Sequence, residues 1–346
     1  VYQPRHSTER LSVNKRYGYI DFIRLVCIFF IVIGHVWAEI PLTVFVYVFM
    51  ILSGYLWKSG RELIPEARNK FKTLVYPYLG WGIPLLIILV IQLVFFAQIG
   101  TSDVLKTVAT VLWGGEKAKA PFTAFWYFTA IWFSGIFYRY ITQRSAFVYG
   151  VFIALSLLAG SFFGEVLANL PLGIGVAFCS LVFYAAGHAL QVLQTKITVP
   201  WYISLLLLGA SVYMIATAAV APMVLKSGDF GTPVLSTLVY SLLALAWIAS
   251  MEVLYQPLDA LLEKPVAWFV GLATPIILLH PVPIWFWYNV GWTGKEMADK
   301  VPLFIICLIF RCYLLWSRRI WCHPGSRKFL PRNPSKFAVG NTANLT

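Results

Sequence analysis

Charge is scarce in this chain. Asp, Glu, Lys and Arg make up 12% of 346 residues, about half the share of a typical soluble domain. Cysteine is sparse and odd in number: Cys27, Cys179, Cys307, Cys312 and Cys322. Most of the five sit in apolar segments and read as small buried hydrophobes, not as a disulfide framework. The N-terminal arm, residues 1–18, is polar and does not read as a cleavable signal peptide. No internal repeat is evident, and no connection is long enough for a separate soluble domain. Cys312, Cys322 and His323 lack a fourth ligand at zinc-like spacing, so no metal is expected. Together these shortages exclude a soluble enzyme, a secreted disulfide module and a disordered protein.

What fills the chain instead is apolar. Hydrophobic residues reach 60%, with 14 Trp, 18 Tyr and 26 Phe, and the mean hydropathy is +0.76. A soluble fold of this length cannot hide so much apolar surface. The expected class is an all-α, polytopic membrane helix bundle. Ten stretches qualify as spans: 19–38, 41–57, 74–98, 123–141, 146–164, 170–192, 199–221, 232–256, 266–290 and 301–317. They are long and continuously apolar, not alternating at period two, so helices and not barrel strands are implied. The expected division is an N-terminal arm at 1–18, a transmembrane domain at 19–317 and a basic tail at 318–346.

Basic residues orient the bundle. With the N-terminus in the cytoplasm, the inner side holds Lys58, Arg61, Arg68, Lys70, Lys72, Arg139, Arg144, Lys196, Lys264, the arm and the tail. The outer side holds only Lys106, Lys117, Lys119, Lys226, Lys295 and Lys300. That asymmetry predicts both termini inside. The formal charge of +13 then faces anionic lipid, and no nucleic-acid partner is expected.

Ionisable groups inside a membrane are candidate sites. The first span holds Asp21, Arg24, His35 and Glu39. Arg24 and His35 are eleven residues apart, about three helical turns or roughly 16 Å, and so share a face. Asp21 lies three residues before Arg24 and Glu39 four after His35. The stripe reads either as an interfacial pair with a satisfied core histidine, or as a lined pathway or reaction site. In the second span Ser53 and Gly54 permit close helix contact. His188 and Glu252, near helix ends, read as interfacial. Pro77 and Pro84, and later Pro275, Pro281 and Pro283, interrupt two spans, but not in the corresponding positions that an inverted-repeat transporter would show.

Tyr19-Ile20-Asp21-Phe22-Ile23-Arg24, then His35, then Ser53-Gly54-Tyr55, resembles the acyltransferase-3 family of integral membrane acyltransferases. Arg24, ten intervening residues and His35 match the family's first-helix motif. Ser53, Gly54 and Tyr55 match its Ser-Gly-Tyr. Phe125-Trp126-Tyr127-Phe128 is similar to its aromatic motif, and Leu278-Leu279-His280-Pro281 to a late His-Pro pattern. Val44-Phe45-Val46-Tyr47 stands where related sugar acetylases carry Phe-His-Met-Pro.

The resemblance implies acyl transfer, commonly of acetyl from cytoplasmic acetyl-CoA, to a hydroxyl of a cell-surface or lipid-linked saccharide. A lipid-linked repeat unit of a xanthan-type exopolysaccharide is the specific expectation, in a bacterial inner membrane. His35 is the expected base or acyl carrier, and His280 a second catalytic group that orients. Asp21, Arg24, Ser53, Tyr55 and Arg68 are the expected donor-binding residues. Arg24 is suited to clamp a phosphate or carboxylate bidentately. Glu39, Trp126 and Tyr127 are expected at the acceptor, the two aromatics stacking on a sugar or simply forming an interfacial belt. The competing class is a secondary transporter or flippase for a saccharide or anion.

Overall fold

The computed structural model describes residues 18–40, 42–197, 199–291 and 297–309. The arm before Gly18, the tail at 318–346 and much of the tenth expected span lie outside the described residues. So do Cys312, Cys322 and His323.

Helices dominate. They are α1 (Gly18–Val36), α2 (Val46–Tyr55), α3 (Leu63–Lys70), α4 (Tyr76–Ile91), α5 (Thr101–Trp113), α6 (Trp126–Thr142) and α7 (Ala146–Ala168). There follow α8 (Ile174–Cys179), α9 (Leu181–Gln194), α10 (Trp201–Ala216), α11 (Leu235–Leu254), α12 (Asp259–Gly271), α13 (Ala273–Leu279) and α14 (Pro281–Asn289). Residues 301–309 are helical as well. Among the described residues the sole β feature is an isolated bridge between Val224 and Asp229. Each of the first nine expected spans falls largely on helix, as do the described residues of the tenth. Among the described residues four helices are long and apolar enough to cross a membrane alone, or six if two bent pairs each count as one span. Val46–Tyr55 and Trp201–Ala216 are shorter apolar helices.

The outward faces are greasy. Phe96 and Phe147 are each 79% exposed, and Leu261 74%. Such continuous apolar surface belongs against lipid, where helices satisfy their own backbone groups.

Irregularities in the helices have local causes. Helix runs unbroken from Leu63 to Phe96, so Arg68, Lys70 and Lys72, which lie between two expected spans, are on helix while Lys58 and Arg61 precede it. A π turn at Phe71–Val75 precedes Pro77, loosening the backbone where proline lacks its N–H and crowds the preceding turn. A 47° bend separates α8 from α9. Ser156 of α7 fills it, its hydroxyl donating to the Cys179 carbonyl at 2.9 Å and accepting from the Val182 N–H at 3.2 Å. A second 47° bend lies between α12 and α13, ahead of His280. Pro281 starts α14, while the His280 N–H still reaches the Ile276 carbonyl at 2.9 Å. The connection 99–122 carries α5, whose Val104 and Val111 are buried while Leu105 and Leu112 are exposed. That is the pattern of a helix lying along an interface.

Two glycines set the closest crossing. A Cβ on Gly54 would collide with the Tyr184 carbonyl, and one on Gly187 with the Ile51 carbonyl. Small residues let α2 and α9 approach backbone to backbone, which is how helices pack without a hydrophobic drive. Against this pair stands α1, contacted by α2, α11, α12 and α13. It is the element that carries the polar stripe inward.

Candidate active site

His35 lies on the last turn of α1 and His280 at the junction of α13 and α14. Their rings meet edge to face, centroids 4.8 Å apart. The His35 Nδ1 is 2.8 Å from the Ile31 carbonyl, and the His280 Nδ1 is 3.0 Å from that of Ile276. A carbonyl only accepts, so each Nδ1 carries a proton and donates it to the backbone four residues back. In the neutral ring Nε2 is then the lone-pair nitrogen. The His280 Nε2 is buried without a hydrogen-bond partner among the described residues. Both rings line a cavity of about 30 Å³ with Ile31, Phe49, Trp126 and Tyr127, room for one or two waters.

Trp126 and Tyr127 are buried, at 7% and 8% exposure. They wall the cavity with the histidines instead of forming a belt at the bundle's surface. Phe49 packs edge-on against Tyr127 at 5.8 Å. The late helix is held here by Cys307, whose thiol donates to the His280 carbonyl at 3.4 Å.

At the other end of α1, Arg24 donates to Asp21 at 3.1 Å. Asp21 is buried, while the Arg24 side chain is 34% exposed. The helix is continuous between Arg24 and His35, so their eleven-residue spacing corresponds to roughly 16 Å along one face. Arg68 is exposed on α3.

The Ser53 hydroxyl donates to the Phe49 carbonyl at 2.8 Å, inside its own helix. Tyr55 is tied into a chain: its hydroxyl pairs with that of Tyr19 at 2.8 Å and donates to Gln194 at 2.8 Å. Gln194 in turn donates to Glu252 at 2.9 Å. Tyr19, Tyr55, Gln194 and Glu252 thus link α1, α2, α9 and α11 at one end of the bundle. Glu39 stands at the opposite rim, 68% exposed and paired with Lys300 at 2.8 Å. The Lys300 hydrogen bond holds its carboxyl below the usual carboxylate range. Beside it Trp37 donates to the Met297 carbonyl at 3.0 Å.

Two features near these groups were not singled out from the sequence. Lys226 is largely buried and donates to the Ala118 carbonyl at 2.7 Å and to Thr123 at 2.9 Å. It fastens the segment that leads into Ala124, Trp126 and Tyr127, and it is close enough to His35 for their charges to interact. Burial pulls its ammonium down to about 8. At the basic end the Arg139 guanidinium lies 3.7 Å over the Trp57 ring and donates to the Lys58 carbonyl at 2.9 Å. Lys70 stands 5.7 Å from the same ring and 5.5 Å from that of Tyr184. The nearby Glu66 is paired with Arg61 at 2.7 Å. Arg139 lay hidden among the cations counted for the expected orientation, although a cation within an apolar helix was itself a signal. Among the described residues no three His, Cys, Asp or Glu side chains gather as a metal site.

Helices with apolar outer faces, and two histidines around a shared interior cavity, describe a multi-pass membrane enzyme. The chain belongs to the acyltransferase-3 family: the model of that family's acyltransferase domain matches residues 17–317. Neither a curated protein nor a solved structure matches it. The chain is accordingly a membrane acyltransferase, and family membership favours the enzyme over the transporter reading.

Proposed function

We propose that this acyltransferase moves acetyl from cytoplasmic acetyl-CoA to a hydroxyl of a lipid-linked or polymeric cell-surface saccharide, in a bacterial inner membrane. The observation that carries the reading is the pairing of His35 and His280. Each has its Nδ1 proton tied to a backbone carbonyl, which leaves Nε2 as the basic nitrogen beside a small cavity walled by aromatics.

The bundle takes ten spans with both termini in the cytoplasm, and residues 19–317 form the catalytic domain. The basic end, with Arg24, Arg68, Lys70 and Arg139, then faces the donor. Guanidinium and ammonium groups suit the phosphates of a nucleotide thioester. The distance of roughly 16 Å from Arg24 to His35 is one that an extended pantetheine arm spans, which would bring the thioester to the histidines.

In the cavity the acceptor oxygen takes the place of a water. The His35 Nε2 removes its proton as the oxygen attacks the thioester carbonyl. The C–S bond then breaks, and the thiolate leaves with the proton that His35 holds. His280 orients the acceptor or the imidazole beside it. Trp126 and Tyr127 offer ring faces to a sugar, and Glu39 at the rim offers a carboxylate to its hydroxyls. No metal is needed for these steps.

The direct test is to incubate the purified protein with acetyl-CoA, with and without a lipid-linked oligosaccharide, and to follow free thiol. Release of thiol that quickens with the acceptor supports the reading. The absence of both thioester cleavage and CoA binding would overturn it.

A further inference from the structure

A second cavity lies well away from the histidines, between the α6–α7 turn and the last turns of α9. Its volume is about 540 Å³, many times that of the histidine cavity. Arg144 and Lys196 stand at it, with the hydroxyl-bearing Thr142 and Tyr149, and no carboxylate among the described residues lines it. Its polar wall is fixed. The Tyr138 hydroxyl bonds to both Tyr149, at 3.1 Å, and His188 Nδ1, at 2.9 Å. The Arg144 guanidinium is held 4.2 Å over the Tyr140 ring.

The remaining wall is aliphatic, from Ala189, Val192 and Leu193. Beyond it the surface stays apolar: Ile197 is 52% exposed and Phe147 79%. Cations and hydroxyls from the α6–α7 turn and the end of α9 thus line a crevice that also carries aliphatic side chains and continues onto exposed apolar ones. A soluble anion would use only the first half of that surface.

We infer that this crevice binds the headgroup of an anionic phospholipid, with its phosphate between Arg144 and Lys196 and an acyl chain along Val192 and Leu193. Basic pockets between spanning helices on the cytoplasmic side are suited to such headgroups. The inference rests on the proposed orientation only in putting the crevice on the cytoplasmic side, because binding can be measured without knowing the orientation. Tyr138 also packs edge-on against Trp57 at 4.8 Å, so the lipid abuts the basic end from outside the bundle.

The test is native mass spectrometry of the full chain, delipidated and offered equal amounts of dioleoyl phosphatidylglycerol and dioleoyl phosphatidylcholine. The wild-type protein retains phosphatidylglycerol in preference by roughly 25-fold, since each of the two cations contributes on the order of a fivefold preference and the factors multiply. The double variant Arg144→Gln with Lys196→Gln loses that preference. Ala189→Trp, which fills the crevice and leaves both charges, loses it as well. Equal retention of the two lipids by the wild-type protein overturns the inference, as does a preference that survives either variant. Displacement of phosphatidylglycerol by free CoA overturns it too, by showing that the crevice belongs to the donor nucleotide. Thioester cleavage by the same sample is read separately, so failure here leaves the acyltransferase reading standing.

Discussion

The imidazoles of His35 and His280 come from opposite ends of the described chain and meet edge to face at 4.8 Å. Each is clipped by its own helix, to Ile31 and Ile276 respectively. The clip settles which nitrogen is available before any substrate arrives. Pre-set tautomers of this kind are what a general base requires.

Replacing His35 by Ala is expected to reduce acyl transfer by about 10²–10⁴-fold, the usual contribution of a positioned base. His35→Gln keeps a polar group of similar reach but takes up no proton, and should be as inactive as Ala. His280→Gln should give only a partial loss. Turnover of purified, membrane-inserted variants decides, and a fully active His35→Gln would sink the mechanism.

Arg24 is half-exposed and already donates to Asp21. If its planar fork grips the donor, Arg24→Lys should raise the KM for acetyl-CoA about tenfold or more while kcat changes less, because an ammonium makes no bidentate contact. An unchanged KM would show that Arg24 is an interfacial anchor.

The α2–α9 crossing predicts a contrast between neighbours. Gly54→Ala places a methyl against the Tyr184 carbonyl, and overpacking of this kind costs about 1–3 kcal/mol. Ser53→Ala removes a hydroxyl that is bonded within its own helix, so it should change thermal stability little. If the two variants melt alike in detergent, the crossing is looser than described.

Lys226 gives a pH dependence. Its folded-state value, about 8, lies below the ordinary 10.5. Between those values the unfolded chain binds more protons than the folded one, so stability from this group rises with pH across that window. Below pH 8 both states are protonated and the burial penalty is present in full. Lys226→Met should therefore flatten the difference in Tm between about pH 7 and about pH 10. An unaltered difference would assign the dependence to another group.

The apolar runs and the His35 spacing were legible in the sequence because both depend on near neighbours in the chain. The fates of the Ser53 and Tyr55 hydroxyls were not. Ser53 turns back to Phe49, and Tyr55 joins Tyr19 to Gln194, a connection that exists only once α1, α2 and α9 are assembled. Pairing of Glu39 with Lys300 was hidden for the same reason. Lys70 and Arg139 were visible as charges but not as partners of one Trp57 ring. The burial of Trp126 and Tyr127 depends on where the α5–α6 connection, held by Lys226, delivers them.

The clipped histidines also bear on electrical coupling. With Nδ1 engaged, each ring has one working nitrogen, and a proton gained there can leave only from the same atom and on the same side. No hand-to-hand passage of protons across the bilayer runs through this pair. On the proposed reading the group transfer is then electroneutral, and its rate should be indifferent to membrane voltage even though the reaction centre sits among spanning helices.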